Sequence, residues 1–214
     1  MASIANTAFE VTVSNITRNN TQNVPGQFGT GTGSGFTSEI CPAGFLCVQG
    51  ALLPNAGYEG LGPGSSDILN GNTWEFIAAT NGNSGSYGDH TGIYAFNSYD
   101  VRKVADNSGN TWMLGSNYLG LELPAGQTGD FTEIIIGEQY TFGAGNFSTA
   151  PSGNTYIYAT IQNGRLVAST SAPAAGSGVY FKILGSKTFT VGTRSSGITG
   201  YICKACRTAE AAAE

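Results

Sequence analysis

Strand-length apolar runs separated by turns rich in glycine and asparagine recur along this chain, and they restrict the folds open to it. Typical runs are FLCVQGALL (45–53), TWEFIAA (73–79), GIYAF (92–96) and VYFKILG (179–185). Such runs between Gly, Asn and Pro turns are typical of β-sandwiches and barrels, and no amphipathic pattern longer than two helical turns interrupts them. The sequence predicts an all-β fold, an antiparallel sandwich or barrel with long Gly/Asn-rich loops.

The clearest local signal is TYIYATIQNGRLVAST, residues 155–170. Asn163-Gly164 separates two alternating apolar runs, and these residue types accept the positive φ angles of a type I′ turn. We therefore predict a β-hairpin at this place. A second long run, FTEIIIGEQYTF (131–142), is rich in β-branched residues and contains a central Gly137. It predicts a buried strand with a bulge or a sharp bend.

The composition does not shift along the chain, so a single β domain is expected over residues 1–214. Residues 14–40 hold few apolar side chains and a GTGTGSG run at 29–35. They predict an extended N-terminal arm or a long loop. Residues 208–214 (TAEAAAE) are predicted to form a frayed tail.

Charge limits the partners of this chain. It holds 9 Lys and Arg against 14 Asp and Glu, for a net charge of −5, and the cations form no cluster. Duplex nucleic acid requires several cations on one face, so direct nucleic-acid binding is not expected. Charged residues make up only 11% of the chain, against about 25% in an average domain. That scarcity predicts a surface partly covered by other subunits, and therefore a homo-oligomer.

Targeting signals are also absent from the sequence pattern. Residues 1–6 (MASIAN) have neither the basic region nor the apolar region of a signal peptide. No apolar run approaches the length of about 18 residues that spans a bilayer. We expect synthesis in a cytoplasm without export by the usual routes, and no membrane partner.

Side chains for catalysis are few. The one histidine, His90, follows Ser86 and Asp89, but no Gly-x-Ser-x-Gly motif accompanies them. The expectation is a loop histidine bonded to its sequence neighbours. Glu133 and Glu138 are close in sequence, yet their odd spacing places them on opposite faces of a regular strand unless the chain bulges between them. We assign no catalytic residue and no cofactor, and a hydrolase with paired carboxylates stays as an alternative.

The four cysteines form two pairs in the sequence. Cys41 and Cys47 have C-x5-C spacing, and Cys203 and Cys206 have C-x2-C spacing. Four thiolates from two distant pairs can bind zinc, and a disulfide needs an oxidising environment. Free buried thiols are the expectation, with zinc and a disulfide as the alternatives.

Several segments together resemble a known class of protein. They are MASIAN…FEVTVSN, FTSEICPAGFLCVQ, DHTGIYAFNSYDVRKV, GDFTEIIIGEQYTFG and YATIQNGRLVAST. These look like small virion proteins of tailed bacteriophages, and most like the capsid decoration, or cement, proteins. The chain is larger than the smallest cement proteins, which leaves room for a head fibre or a tail component.

The resemblance implies a mechanical role. Such a protein adds to the outside of the assembled phage head and bridges neighbouring subunits of the major capsid protein, so its place is the virion surface. Related proteins often trimerise. The candidate contacts with a partner are residues of the predicted arm and of two aromatic loops, namely Gln22, Val24, Pro25, Phe28, Phe36, Tyr58 and Tyr87.

The alternative function is a phage fibre or an adhesin-type carbohydrate-binding module. The 10 Tyr, 11 Phe and 2 Trp offer rings on which sugars could stack. Trp74 and Trp112 both lie in alternating runs, however, where packing on the sheet is the expected role. A capsid-binding protein and a glycan-binding protein would be separated by what each one binds.

Overall fold

The computed structural model of the protein describes residues 12–13, 23–53, 73–80, 90–96, 103–105, 111–113, 122–151, 156–189 and 198–208. These residues form β-strands, with two short 3₁₀ turns at Gly33–Gly35 and Ala144–Asn146 and no α-helix among them. The strands make two large sheets stacked as in a sandwich. The predicted all-β class is confirmed, and the sandwich is the observed form.

The first large sheet has six strands in the order β11-β7-β5-β6-β2-β3. Their bounds are β2 Asn23–Thr30, β3 Thr37–Ser38, β5 Leu46–Leu52, β6 Trp74–Ala78, β7 His90–Phe96 and β11 Gly129–Ile135. Most neighbours are antiparallel, while β2 and β6 are parallel. Strand β2 pairs with β11 as well as with β6, so the sheet curls back on itself.

The second large sheet has seven strands in the order β1-β12-β17-β16-β14-β15-β13. Their bounds are β1 Thr12–Val13, β12 Gln139–Gly143, β13 Phe147–Thr149, β14 Tyr158–Gln162, β15 Arg165–Ser169, β16 Val179–Phe189 and β17 Ile198–Arg207. Two further pairs complete the described strands: β4 Cys41–Pro42 with β10 Glu122–Leu123, and β8 Lys103–Ala105 with β9 Thr111–Met113.

Two buried clusters hold these layers together. The inter-sheet core joins residues of both sheets, among them Leu46 and Ile134 from the six-stranded sheet and Phe142 and Phe181 from the seven-stranded sheet. The aromatic cluster lies on the other face of the six-stranded sheet and comprises Phe28, Cys41, Ala43, Cys47, Phe76, Tyr94, Phe96, Leu123 and Phe131. Residues 93–96 in the middle of the six-stranded sheet are therefore buried on both faces.

Two glycines allow the six-stranded sheet to curl. Gly26 of β2 pairs with Gly129 of β11. A Cβ atom at Gly26 would lie 2.2 Å from the ring of Phe76, and one at Gly129 would lie 2.8 Å from the ring of Phe96. Any larger residue would push these rings apart, because a buried cluster has no free volume to receive it.

The predicted hairpin is confirmed. Strands β14 and β15 pair around Asn163-Gly164, whose φ angles are 47° and 73°, as a type I′ turn requires. The tip of this turn also docks on the other sheet: the amide of Leu46 donates to the carbonyl of Gly164 at 2.8 Å, and the amide of Gly164 donates to Ala79 at 2.8 Å. The turn therefore fastens one sheet to the other.

The run at residues 131–142 forms two strands rather than one. Strand β11 ends at Ile135, the chain turns at Gly137 with a φ of 90°, and β12 begins at Gln139 in the other sheet. The predicted bend is thus a complete turn that carries the chain from the six-stranded sheet to the seven-stranded one.

The structure corrects the arm or long loop predicted at residues 14–40 for residues 23–30. Residues 23–30 form β2, which pairs with three other strands, and Phe28 of β2 is only 6% exposed. A strand with few apolar residues can still be central when its backbone hydrogen bonds are shared with neighbours on both sides. At the other end of the chain, the amide of Thr208 donates to Gly178 at 3.0 Å, and residues 209–214 of the predicted tail lie outside the described residues.

Candidate functional site

The seven-stranded sheet turns one face away from the inter-sheet core. Its strands alternate: Ala159, Phe181 and Ala205 point into the core, while their sequence neighbours face outward. The pairing register arranges the outward residues in two adjacent rows. The first row is Ser169, Tyr158, Lys182, Lys204 and Gln139, and the second is Val167, Thr160, Tyr180 and Cys206. We call these two rows the outer face.

Two lysines oppose each other in the outer face. Lys182 of β16 and Lys204 of β17 are direct partners across the antiparallel pair, and both are exposed. Side chains in this position have Cβ atoms about 5 Å apart, and like charges placed so are destabilising. Neither row contains an Asp or a Glu, and no ion pair of either lysine occurs within the described part of the chain. The pair concentrates positive charge in a protein whose net charge is −5.

Two tyrosines lie beside the lysines. The ring centroids of Tyr158 and Tyr180 are 6.1 Å apart, and the ring planes are inclined at 53°. Partial burial, followed by the neighbouring Cys206 thiol and then Tyr158, raises the pKa of the Tyr180 hydroxyl. Tyr180 therefore stays protonated near neutral pH and can donate a hydrogen bond.

The hairpin of β16 and β17 extends beyond the rest of the sheet. Strand β14 pairs with β16 only at residues 180–182, whereas β16 and β17 remain paired as far as Phe189 and Ile198. Among the strands that the structure describes, none pairs with residues 184–189 on the side away from β17. Leu184 is 48% exposed on this segment. We call residues 184–189 and their β17 partners the ribbon.

His90 is not the loop residue that the sequence predicted. It opens β7, and its Nδ1 lies 2.8 Å from Oε2 of Glu133, which is 43 residues away on β11. The Glu133 side chain is buried, and its Oε1 accepts a hydrogen bond from the amide of Gly92 at 3.0 Å. The contact between Nδ1 and Oε2 fixes the position of the imidazole ring against β11. Ser86 and Asp89 lie outside the described residues.

This histidine also lies where the two sheets meet. Arg207 of β17 donates from a guanidinium nitrogen to the backbone carbonyl of His90 at 2.9 Å. At the start of β7, the Thr91 hydroxyl donates a hydrogen bond to the backbone carbonyl of Ile134 on β11. An imidazole held in this way is suited to act as a base or a metal ligand. The described residues, however, contain no group of three His, Cys, Asp or Glu side chains that could hold a metal ion, and the contacts of His90 join strands.

The two neighbouring carboxylates are separated by a turn. Glu133 lies on β11, and Glu138 follows the turn at Gly137, just before β12; both are buried. Residues 133–138 therefore do not form the single regular strand on which the prediction of opposite faces was based.

Tyr140 lies close to both carboxylates. Burial raises the pKa of the Tyr140 hydroxyl, a hydrogen bond from the amide of Ile135 lowers it in part, and the charges of Glu138 and Glu133 raise it further. Tyr140 is thereby kept neutral in the core.

A third buried carboxylate has no counterpart in the sequence predictions. Glu75 of β6 is fully buried; its Oε1 accepts from the amide of Gly33 at 2.8 Å and its Oε2 from the amide of Ala51 at 3.1 Å. It fastens the 3₁₀ turn at Gly33–Gly35 and the end of β5 to β6. Its only sequence signal is a charge inside the apolar run 73–79, and its partners are set by the fold.

The structure does not bring the four cysteines together. Cys41 and Cys47 lie in the aromatic cluster, Cys203 lies in the inter-sheet core, and Cys206 lies on the outer face. All four are free cysteines. Burial, followed by a hydrogen bond with Cys47, raises the pKa of Cys41 well above its ordinary value, and burial raises the pKa of Cys203 to about 12. A shared zinc site across both pairs is not formed.

The predicted partner contacts are dispersed. Phe28 is buried in the aromatic cluster, and Val24 packs against that cluster. Pro25 is half-buried in β2, and Phe36 is half-buried with its ring against Gly29. Gln22, Tyr58 and Tyr87 lie outside the described residues. Trp74 packs against the aromatic cluster, as predicted, and the Trp112 side chain is outside the described part.

Comparisons with protein-family models, curated proteins and solved structures found no match to this chain. Within the described residues, no helix has the length and apolar character needed to cross a membrane.

Proposed function

We propose that this protein is a structural virion protein, a capsid decoration protein that binds the outer surface of the assembled phage head. It stabilises the head by bridging subunits of the major capsid protein. The proposal combines the resemblance of the sequence segments with one structural observation, the ribbon whose outer edge has no described strand beside it. An all-β sandwich supplies a stiff body from which such a ribbon can project.

The ribbon offers a means of attachment. A strand with an open edge presents backbone N–H and C=O groups that can pair with an extended segment of another chain. Leu184 adds apolar surface beside this edge, since it is 48% exposed. A segment of the major capsid protein pairing with residues 184–189 would extend the seven-stranded sheet across the boundary between the two proteins.

Symmetry strengthens this mode of binding. A shell repeats the same contact many times, and a homo-oligomer of the decoration protein engages several capsid subunits at once. Linked contacts of this kind raise the overall affinity without adding new interactions. A trimer placed over neighbouring capsid subunits would bridge them and resist the pressure of packaged DNA.

Co-sedimentation with phage heads that lack this protein tests the proposal. Wild-type protein should bind in fixed stoichiometry, and cryo-EM of the pellet should reveal a foreign strand beside residues 184–189. Leu184→Lys places a charge at the ribbon and should lower the bound fraction by about tenfold, because lysine at an edge opposes strand addition. Leu52→Lys is the matched control, because Leu52 is 39% exposed on the six-stranded sheet, and it should bind as the wild type does.

Two outcomes would count against the proposal. No binding of the wild-type protein to heads would reject the decoration role. Binding of Leu184→Lys equal to that of Leu52→Lys would reject the ribbon as the point of attachment. Thermal unfolding of both variants establishes first that each is folded.

A phage fibre or adhesin-type carbohydrate-binding module is the second candidate. The observation that favours it is the pair formed by Tyr158 and Tyr180 on the outer face, with ring centroids 6.1 Å apart. Exposed aromatic rings beside hydrogen-bonding groups are suited to sugar rings. Binding to a glycan array with no binding to heads would favour this candidate over the first.

A further inference from the structure

The two opposed lysines, Lys182 and Lys204, indicate the charge that a ligand of the outer face would carry. Lys182 and Lys204 stand side by side at the cost of mutual repulsion. A negatively charged group placed between them would remove that repulsion and accept charge-assisted hydrogen bonds from both ammonium groups. The arrangement therefore favours an anion.

The surroundings of the lysines limit what carries the anion. Tyr158 is the cross-strand neighbour of Lys182 on one side, and Gln139 is the neighbour of Lys204 on the other. Adjacent strands lie about 4.8 Å apart, so the row presents, in sequence, the ring of Tyr158 and two cations. A chain of sugar units lying across the strands would meet each of these three groups in turn.

The tyrosines distinguish a sugar from other anions. The ring planes of Tyr158 and Tyr180 are inclined at 53°, and both residues are partly exposed on the outer face. A sugar ring can pack on such surface while the tyrosine hydroxyls bond its hydroxyl groups. An acidic peptide needs no ring surface, and a duplex needs more cations than two lysines in a protein of net charge −5.

We propose that the outer face binds a polysaccharide that carries carboxylate groups. Lys182 and Lys204 hold the carboxylate, and Tyr158 and Tyr180 contact the sugar rings. This site is separate from the ribbon and does not depend on attachment to a capsid. It adds a second binding activity to a decoration protein and gives the carbohydrate-binding alternative a ligand class.

Titration calorimetry with the full-length protein tests the site. Three probes are used: polygalacturonate for a carboxylated sugar chain, dextran for a neutral one, and poly-glutamate for an acidic peptide. Polygalacturonate should bind, and its affinity should fall as salt is raised because both charges are exposed. Dextran and poly-glutamate should each bind at least about tenfold more weakly, the loss expected when a charge-assisted bond or the ring contact is missing.

Variants assign the binding to the outer face. Lys182→Gln with Lys204→Gln should lower the affinity for polygalacturonate by about tenfold or more, and Tyr158→Ala should lower it as well. Lys187→Gln is the control for the loss of a single charge, because Lys187 is an exposed lysine of β16 that pairs with Gly200 in the ribbon. Lys182→Gln alone should lower the affinity, whereas Lys187→Gln should keep the wild-type affinity.

The outcomes separate this site from the capsid proposal. Absence of polygalacturonate binding, equal binding of poly-glutamate, or equal affinities of the double variant and Lys187→Gln would each overturn the site. The double variant should still co-sediment with heads as the wild type does. Loss of head binding with retained polygalacturonate binding in Leu184→Lys would show the two surfaces acting independently.

Discussion

The two large sheets bury their surfaces in different ways. The six-stranded sheet has the inter-sheet core on one face and the aromatic cluster on the other, and in β7 successive residues from Ile93 to Phe96 alternate between the two. The seven-stranded sheet has the inter-sheet core on one face and the polar outer face on the other. Strands buried on both faces become continuous apolar runs, and strands buried on one face alternate.

The difference separates stability from binding. The aromatic cluster packs its rings closely, as in the stacked pair of Phe76 and Phe131 with centroids 3.9 Å apart. The side chains of the aromatic cluster therefore pack against one another in the interior. The seven-stranded sheet carries tyrosines, lysines and the ribbon outside the inter-sheet core, so substitutions there should change binding far more than folding. Four measurements test this division, beginning with the largest expected effect.

Removing a ring from the aromatic cluster should give the largest loss in the free energy of unfolding. Phe131→Ala removes a fully buried ring that stacks on Phe76, and such changes lower the free energy of unfolding by about 3–5 kcal/mol. Tyr158→Ala is the matched control on the outer face and should cost less than about 1 kcal/mol, because its ring is partly exposed. Urea denaturation measures both, and equal losses would contradict the division between the sheets.

Gly26→Ala should be the next most costly change. The new Cβ atom would lie 2.2 Å from the ring of Phe76 and 2.7 Å from the carbonyl oxygen of Trp74, so the curl of the sheet must open. Overpacking of this kind costs about 1–3 kcal/mol. Gly185→Ala in the ribbon meets no atom within 4 Å and should leave the urea midpoint unchanged. A neutral Gly26→Ala variant would show that the close approach does not support the curl.

Raising the pH above 9 should lower the free energy of unfolding, and part of this loss should depend on Cys203. Burial raises the pKa of this thiol from 9.0 to about 12. Below pH 9 the thiol is protonated in both the folded and the unfolded chain; between pH 9 and 12 only the unfolded chain loses the proton, so stability falls as pH rises. The slope contributed by one proton is at most about 1.4 kcal/mol per pH unit.

Cys206, which follows Cys203 by three residues, supplies the control for this pH dependence. Cys203→Ala should make the fall in unfolding free energy above pH 9 less steep, as measured by urea denaturation at several pH values, while the buried Cys41 and Tyr140 still contribute to it. Cys206→Ala changes a thiol on the outer face and should leave the slope as it is in the wild type. Identical slopes in both variants would assign the alkaline sensitivity to other groups.

The smallest expected effect is an increase in the free energy of unfolding, produced by a substitution on the outer face. Lys182→Gln removes one of the two opposed charges on the outer face, and relief of such a contact is worth about 0.2–1 kcal/mol. The urea midpoint should rise slightly at low salt, and the rise should shrink at high salt because screening already weakens the repulsion. Lys187→Gln outside the opposed pair is the comparison, and an equal rise there would show that the gain does not come from relief of the repulsion between Lys182 and Lys204.

Local signals in the sequence were sufficient for part of this structure. Asn163-Gly164 predicted its hairpin, because a type I′ turn depends on the φ angles of those residues alone. The run 131–142 predicted a bend at Gly137, but not that the bend joins two sheets. The prediction of an arm or long loop failed at residues 23–30, because β2 is held by backbone hydrogen bonds to three strands, and backbone bonding leaves little trace in side-chain composition.

The candidate sites were less accessible to prediction. His90 and Glu133 are 43 residues apart, and Glu75 reaches Gly33 over 42 residues. Lys182 and Lys204 face each other because of the register between β16 and β17. A shift of that register by one residue would turn one of the lysines into the core.

The sequence by itself determined the all-β class, the hairpin at Asn163-Gly164 and the turn at Gly137, because apolar alternation and positive φ angles are properties of neighbouring residues. Only the tertiary structure decided which sheet is covered on both faces, where the ribbon projects and which lysines meet. Those outcomes depend on strand order and register, which arise from contacts between segments far apart in the chain.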